Sequence, residues 1–161
     1  MKRTWLIIGG VAAALLLAGG TAAVVVDVNA PRGISNNNPG NIRISAYNWN
    51  GKIPADKRTD QAFEQFTEMK YGVRAAIINL RNYIKTGWNT PNDIIVNWSE
   101  GSWNEYLRYV QDVAGFSPSQ QLTFDYATIK LLLAAIFGFE NGGQKWANQA
   151  LATYDAAWAL I

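Results

Sequence analysis

The sequence predicts a mainly helical α+β domain behind one membrane-spanning N-terminal helix. Three features predict it: a 22-residue uncharged run near the N-terminus, a polar stretch rich in turn residues, and helical apolar spacing through most of the remainder.

The uncharged run covers residues 5–26, "WLIIGGVAAALLLAGGTAAVVV". At about 1.5 Å per residue, a helix of this length spans a bilayer core of about 30 Å. Lys2 and Arg3 precede it and Asp27 follows. The positive-inside rule then puts the N-terminus in the cytoplasm and the rest of the chain across the membrane. Gly10, Ala14, Ala18 and Ala22 recur every four residues and form a small-residue face suited to close helix packing. The rival is a cleaved signal peptide, whose apolar core is normally about 7–15 residues and ends in an Ala-x-Ala-like site. Here the core is longer and Gly20-Thr21-Ala22 fits such a site poorly. The expected division is therefore an anchor over 1–27 and a globular domain over 28–161.

Residues 27–60 contain Pro31, Pro39 and Pro54 among glycine and asparagine turn signals and read as loop. "NIRIS" (41–45) and "AFEQFTE" (62–68) alternate well enough for a small β-hairpin. Val73, Ile77, Leu80 and Ile84 then follow helical spacing up to a stop at Gly87. Thr90 is the expected N-cap of the next helix, with Pro91 in its first turn. Ser102 and Glu105 have capping-box spacing ahead of a helix that Gly115 stops. Residues 124–140 are apolar nearly all round, which suits a buried central helix. After "NGG", a last amphipathic helix is expected over 144–160, giving five helices in the domain.

Composition limits the chemistry. The chain has 161 residues, 49% hydrophobic and 16% charged, and Lys2 and Arg3 account for its net charge of +2. A neutral domain with no basic cluster argues against a nucleic-acid partner. Histidine and cysteine are both absent. That excludes Ser-His-Asp and Cys-His machinery, thiol nucleophiles, Fe–S clusters and the common zinc sites, so neither a metal nor an organic cofactor is expected. Acid–base chemistry in this chain falls to carboxylates.

Glu140 is the most informative of them. It ends the most apolar helix, at the negative end of the helix dipole and beside Phe137 and Phe139. Both effects disfavour the charged form and shift the pKa upward. A carboxyl protonated near neutral pH is what general-acid cleavage of a glycosidic bond requires. The plain alternative is an exposed charge on a fraying last turn. Asn36, Asn37, Asn38 and Asn41 offer amide donors and acceptors to sugar hydroxyls and N-acetyl groups, or else they build Asx-turns for their own backbone. Asp60 and Glu64 are candidate second carboxylates, or simple solvating charges. Trp49, Tyr71, Trp98 and Tyr109 could line a saccharide groove, with aromatic faces covering the apolar side of a sugar ring, or belong to the core.

Together "RGISNNNPGNIRI", "WNGK", "FEQFTEMKYGVRAAIINLRNYI", "NDIIVNWSE" and "NEYLRYVQDVAG" resemble a family of phage virion structural proteins and their prophage relatives. The family pattern runs R-G-I-R-N-N-N-P-G-N-I-R, W-x-G, F-x-x-F, Y/N-G-[IV]-R-A, an I-I-x-x-W segment and a late E-N-G. The likeness covers residues 32–143. Ser35 stands in place of the usual arginine, and Glu100 stands where proline is common.

The resemblance implies a lysozyme-like domain related to lytic transglycosylases. In those enzymes a helix ending in Glu-Ser-Gly precedes the asparagine-rich motif; here "AAIFGFENGG" follows "NNNPGNI". A circular permutation reconciles the two orders, because domain termini often lie close together. It would return residues 36–41 to the side of Glu140. The implied function is peptidoglycan cleavage by a membrane-anchored virion protein during entry or lysis, acting on the bond between N-acetylmuramic acid and N-acetylglucosamine. Implied partners are peptidoglycan, a lipid membrane through residues 5–26, and other virion membrane or capsid proteins. The alternative is a non-catalytic structural or peptidoglycan-binding virion protein that retains the fold.

Overall fold

The computed structural model describes residues 29–161 together with the backbone of two short strands, β1 (Ala12–Ala13) and β2 (Val26–Asp27). The membrane-spanning helix expected over 5–26 otherwise lies outside the described residues. At the described positions the chain is extended, with Ala12 paired antiparallel to Asp27 and Ala13 to Val26. Among the described residues no helix is long and apolar enough to cross a membrane. The chain divides into two compact units, Met1–Pro31 and Arg32–Ile161.

The second unit is mainly helical. Its helices are α1 (Arg32–Ser35), α2 (Met69–Lys85), α3 (Pro91–Trp98), α4 (Trp103–Ala114), α5 (Tyr126–Glu140), α6 (Gln144–Leu151) and α7 (Tyr154–Trp158). The apolar α5 is central and packs against α4, α6 and α2, while α2 also meets α7. Ile129, Leu132, Leu133, Ile136 and Phe137 of α5 are fully buried, as are Val73, Ile77 and Leu80 of α2. Burying each such side chain stabilises by about 1.5–3 kcal/mol.

Helix ends follow the expected caps in part. Thr90 Oγ1 accepts from the Asp93 backbone N–H at 3.2 Å, and Asp93 Oδ2 accepts from the Thr90 N–H at 3.3 Å, a complete capping box before Pro91. Ser102 makes no such bond: its φ of 54° is left-handed, not the extended conformation a capping residue takes. The Trp103 indole N–H instead donates to the Ser99 carbonyl at 2.9 Å and fixes the entry to α4. The single last helix expected over 144–160 is two. Thr153 folds its hydroxyl back onto the Ala150 carbonyl at 2.8 Å, and the break lets Tyr154 bury fully, its hydroxyl donating to the Tyr126 carbonyl at 2.9 Å.

The expected hairpin is reduced to isolated bridges, Arg43 with Phe63 and Lys52 with Phe66, so the unit is less of an α+β fold than predicted. Ile42 O accepts from Glu64 N–H at 2.9 Å and Ile44 N–H donates to Ala62 O at 3.1 Å, the antiparallel pairing of the two predicted segments. Asparagine side chains replace the rest of the ladder. Asn38 Nδ2 donates to the Ile42 and Glu64 carbonyls, both at 2.9 Å, and Asn38 Oδ1 accepts from Ile42 N–H at 3.0 Å. Asn37 Nδ2 donates to Phe66 O at 2.9 Å. A primary amide copies the donor and acceptor of a peptide group, so it completes a ladder where the chain is turning too tightly to form one.

One buried carboxylate ties this loop together. Asp60 accepts two hydrogen bonds from the Arg32 guanidinium, both 2.6 Å, and others from Asn36 Nδ2 (2.7 Å) and the Ala62 and Phe63 N–H groups (2.9 and 3.0 Å). Arg32 above all, with the backbone donors and Asn36, holds the carboxyl well below the usual aspartate range despite its burial. A depressed folded-state pKa contributes stability that is present above the unfolded value of about 3.9 and lost as pH falls through it toward the folded value. Asp60→Asn is expected to destabilise the protein by about 2–3 kcal/mol at pH 7. It should also flatten the loss of stability below about pH 4, as urea unfolding of the two proteins across pH 3–7 would measure.

Candidate functional site

Three segments far apart in sequence converge on Glu140. The carboxylate ends α5, Asn41 sits on the loop 99 positions earlier, and Tyr106 comes from α4. Asn41 Nδ2 donates to Glu140 Oε2 at 2.8 Å and to the Glu140 carbonyl at 3.3 Å. The Tyr106 hydroxyl donates to Oε1 at 3.1 Å. Tyr106 is fully buried and its ring stacks on Phe139, with centroids 3.9 Å apart and planes 20° apart. Both carboxylate oxygens are thus positioned, one by the loop and one by α4.

Local chain geometry makes the convergence possible. Asn41 has φ 47°, a left-handed conformation that asparagine tolerates better than most residues. Asn141 Nδ2 donates to Pro39 O at 2.7 Å and to Phe137 O at 2.9 Å, so the end of α5 is clasped to the asparagine loop a second time. Gly33 lies under both amides. A Cβ there would stand 2.5 Å from Asn141 Oδ1 and 2.8 Å from Asn41 Oδ1, two buried oxygens without a hydrogen-bond partner. The Cα–H groups of a glycine are the weak donors that can face such oxygens at close range.

Burial dominates the electrostatics of Glu140. It raises the pKa above the ordinary glutamate value, and the hydrogen bonds from Asn41 and Tyr106 offset the rise only in part. The Tyr106 hydroxyl is itself pushed well up, by its burial and by the Glu140 charge, so it stays a donor.

Glu140 opens onto a groove of about 550 Å³, a size suited to small ligands. Asn41, Arg43 and Phe63 line the loop side, with Tyr83 of α2, Trp98 of α3 and Glu100 just beyond it on the other. Gly40 passes close under Trp98, where a Cβ would come within 2.8 Å of the indole, and the Tyr83 ring meets that indole edge-on at 6.4 Å.

Of the residues singled out from the sequence, Glu140, Asn41 and Trp98 share the groove; the others lie elsewhere. Asn36, Asn37 and Asn38 spend their amides on Asp60 and on the backbone of the loop. Trp49 is buried against Tyr47, with ring centroids 4.1 Å apart, and Tyr71 packs over Gly51. Tyr109 lies edge-on to Phe139 and accepts from Gln144 Nε2 at 3.0 Å. Asp60 is bound by Arg32. Glu64, fully buried, accepts from Lys52 at 2.7 Å, from Arg58 at 3.3 Å and from Ser45 N–H at 3.0 Å. These pairs hold the loop, and neither acid is among the residues lining the groove.

Tyr106, Asn141, Arg43, Tyr83, Phe63 and Glu100 were not among the site residues expected from the sequence. Only Asn141 carried a local signal, its place directly after a glutamate that ends a helix. Among the described residues no group of three acidic, histidine or cysteine side chains could hold a metal ion.

A raised folded-state pKa works in the opposite sense from that of Asp60. Glu140 lowers stability as pH rises through the ordinary glutamate value of about 4.3 and on through the raised one. Stability of Glu140→Gln relative to the native protein should therefore increase from pH 4 to pH 7, in urea unfolding at each pH. Tyr106→Phe removes a donor to the carboxylate and should move the Glu140 titration further up. Neither models of protein families nor curated protein sequences match the chain.

Proposed function

We propose that the chain is a membrane-anchored peptidoglycan-cleaving enzyme of a phage virion, with Glu140 as general acid. The observation that carries the reading is the placement of Glu140. It is a half-buried carboxyl of raised pKa, fixed at both oxygens, facing a groove with an aromatic wall and an amide-bearing loop. The juxtaposition of Asn41 with Glu140 is what a circularly permuted, lysozyme-like arrangement requires. Residues 5–26 are the proposed anchor, with the domain on the periplasmic side when the chain is in the host membrane. Virion membrane or capsid proteins are proposed neighbours.

In the reaction the protonated Glu140 gives its proton to the glycosidic oxygen between N-acetylmuramic acid and N-acetylglucosamine, and the C–O bond breaks. Trp98 covers the apolar face of a sugar ring and Asn41 keeps the carboxyl aimed. A hydroxyl of the substrate then closes onto the anomeric carbon, forming an anhydro-sugar, and returns a proton to Glu140. This lytic transglycosylase course uses one carboxylate. A muramidase more often uses a second, about 5–9.5 Å from the first, and the ion pairs of Asp60 and Glu64 favour the transglycosylase.

The test is the full chain in a mild non-ionic detergent on purified peptidoglycan, beside Glu140→Gln. Loss of general-acid catalysis should cut muropeptide release about 10²–10⁴-fold, and mass spectrometry should find anhydro ends on the products. Reducing ends would assign a muramidase. Equal release by both proteins would remove Glu140 from the mechanism, and a native chain that binds without cleaving would be a peptidoglycan-binding virion protein.

A further inference from the structure

Arg43 is the one cation among the described residues that line the groove. Its guanidinium lies over the Phe63 ring, 5.3 Å from the centroid, and Nη2 donates to Glu100 Oε2 at 3.2 Å. Arg43 belongs to the loop wall and Glu100 to the turn after α3, so this ion pair links the two sides of the groove.

The pair differs in kind from the others around the loop. The acids that Arg32 and Arg58 hold, Asp60 and Glu64, are 7% and 0% exposed at their side chains, and those bonds are built into the loop. Arg43 and Glu100 are 60% and 84% exposed. A solvated pair of that sort stabilises a fold by about 0–1 kcal/mol. Exchanging Glu100 for a carboxylate from outside therefore costs the fold little, and the contact of the guanidinium with Phe63, which also carries Arg32 at 4.4 Å, does not depend on Glu100. A polymer lying along the groove must part the two side chains, and parting them frees a fork that fits a carboxylate.

Building on the peptidoglycan reading, we infer that Arg43 is a carboxylate-recognising residue that takes a stem-peptide carboxylate of the glycan in place of Glu100. The lactyl carboxyl of muramic acid is amide-linked to the stem in intact peptidoglycan, so the free carboxylates there belong to the stem. The groove then prefers stem-bearing glycan to a neutral glycan of the same backbone.

Binding tests this without cleavage. The full chain carrying Glu140→Gln is co-sedimented with intact sacculi, and with sacculi whose carboxylates have been converted to neutral amides by carbodiimide and ethanolamine. Affinity should be about tenfold higher for the intact sacculi, the scale of one charge-assisted contact. Adding Arg43→Ala should remove that difference and leave binding to blocked sacculi unchanged. Adding Glu100→Gln should tighten binding to intact sacculi. An Arg43→Ala protein that still discriminates, or that loses equally on both, overturns the inference and leaves the proposed function standing. Failure of the Glu140→Gln chain to bind either kind of sacculus overturns both.

Discussion

The hydrogen bonds from Asn41 Nδ2 to the carboxylate and carbonyl of Glu140 join the two ends of the second unit, and the site depends on them. The last carbonyls of an α-helix have no partner within the helix. At the end of α5 the backbone supplies part of the pairing, Asn141 N–H to Phe137 O and Gly143 N–H to Gly138 O, and side chains add the rest, Asn41 for Glu140 O and the Asn141 amide for Phe137 O. A typical hydrogen bond adds only about 1 kcal/mol net, but a buried group left unpaired costs about 1–3 kcal/mol. The asparagine loop is thus the C-terminal cap of the central helix as well as a wall of the groove. A change that frees the loop unpairs the last carbonyl of α5 and releases the acid together.

The loop holds that position through a second set of polar contacts. Arg32, Asn36 and Asp60 form one knot, and Lys52, Arg58 and Glu64 another. Gly72 lets the loop lie directly on α2, where a Cβ would fall 1.9 Å from the Asn37 carbonyl oxygen. Most of the loop's charge therefore works on structure. What is left facing the groove is a small group of side chains with unequal constraints: Glu140 held at both oxygens, Trp98 wedged over Gly40, and Arg43 loosely paired.

How much of this was legible in the sequence follows the range of the interactions. Thr90 and Pro91 could be read because a helix start is signalled within a few residues, where Asp93, three positions after Thr90, completes a capping box; α5 could be read because an apolar helix announces its own burial. Ser102 had the same spacing and failed, since capping needs an extended backbone and its φ is left-handed. The break at Thr153 serves Tyr154, which packs on residues nearly thirty positions earlier. Asp60 resembled a free acid because Arg32 stands 28 residues away. Three of the four asparagines resembled sugar ligands because the groups they pair with, the Asp60 carboxylate and loop carbonyls, are set by the fold. Glu140 was legible in kind, as an acid ending an apolar helix; the return of residues 36–41 to its side was expected only through the resemblance, and the Tyr106 donor, 34 residues earlier, was not read.

The central claim is that Glu140 is held as a proton donor between the asparagine loop and α4. Its most direct test is a carbon-13 NMR titration of the Glu140 side-chain carboxyl in the full chain, with and without Asn41→Ala. The account expects a pKa above the ordinary glutamate value of about 4.3 in the native chain, and a higher one once the Asn41 donor is gone. A native value at or below the ordinary one, or a titration indifferent to Asn41, would contradict it.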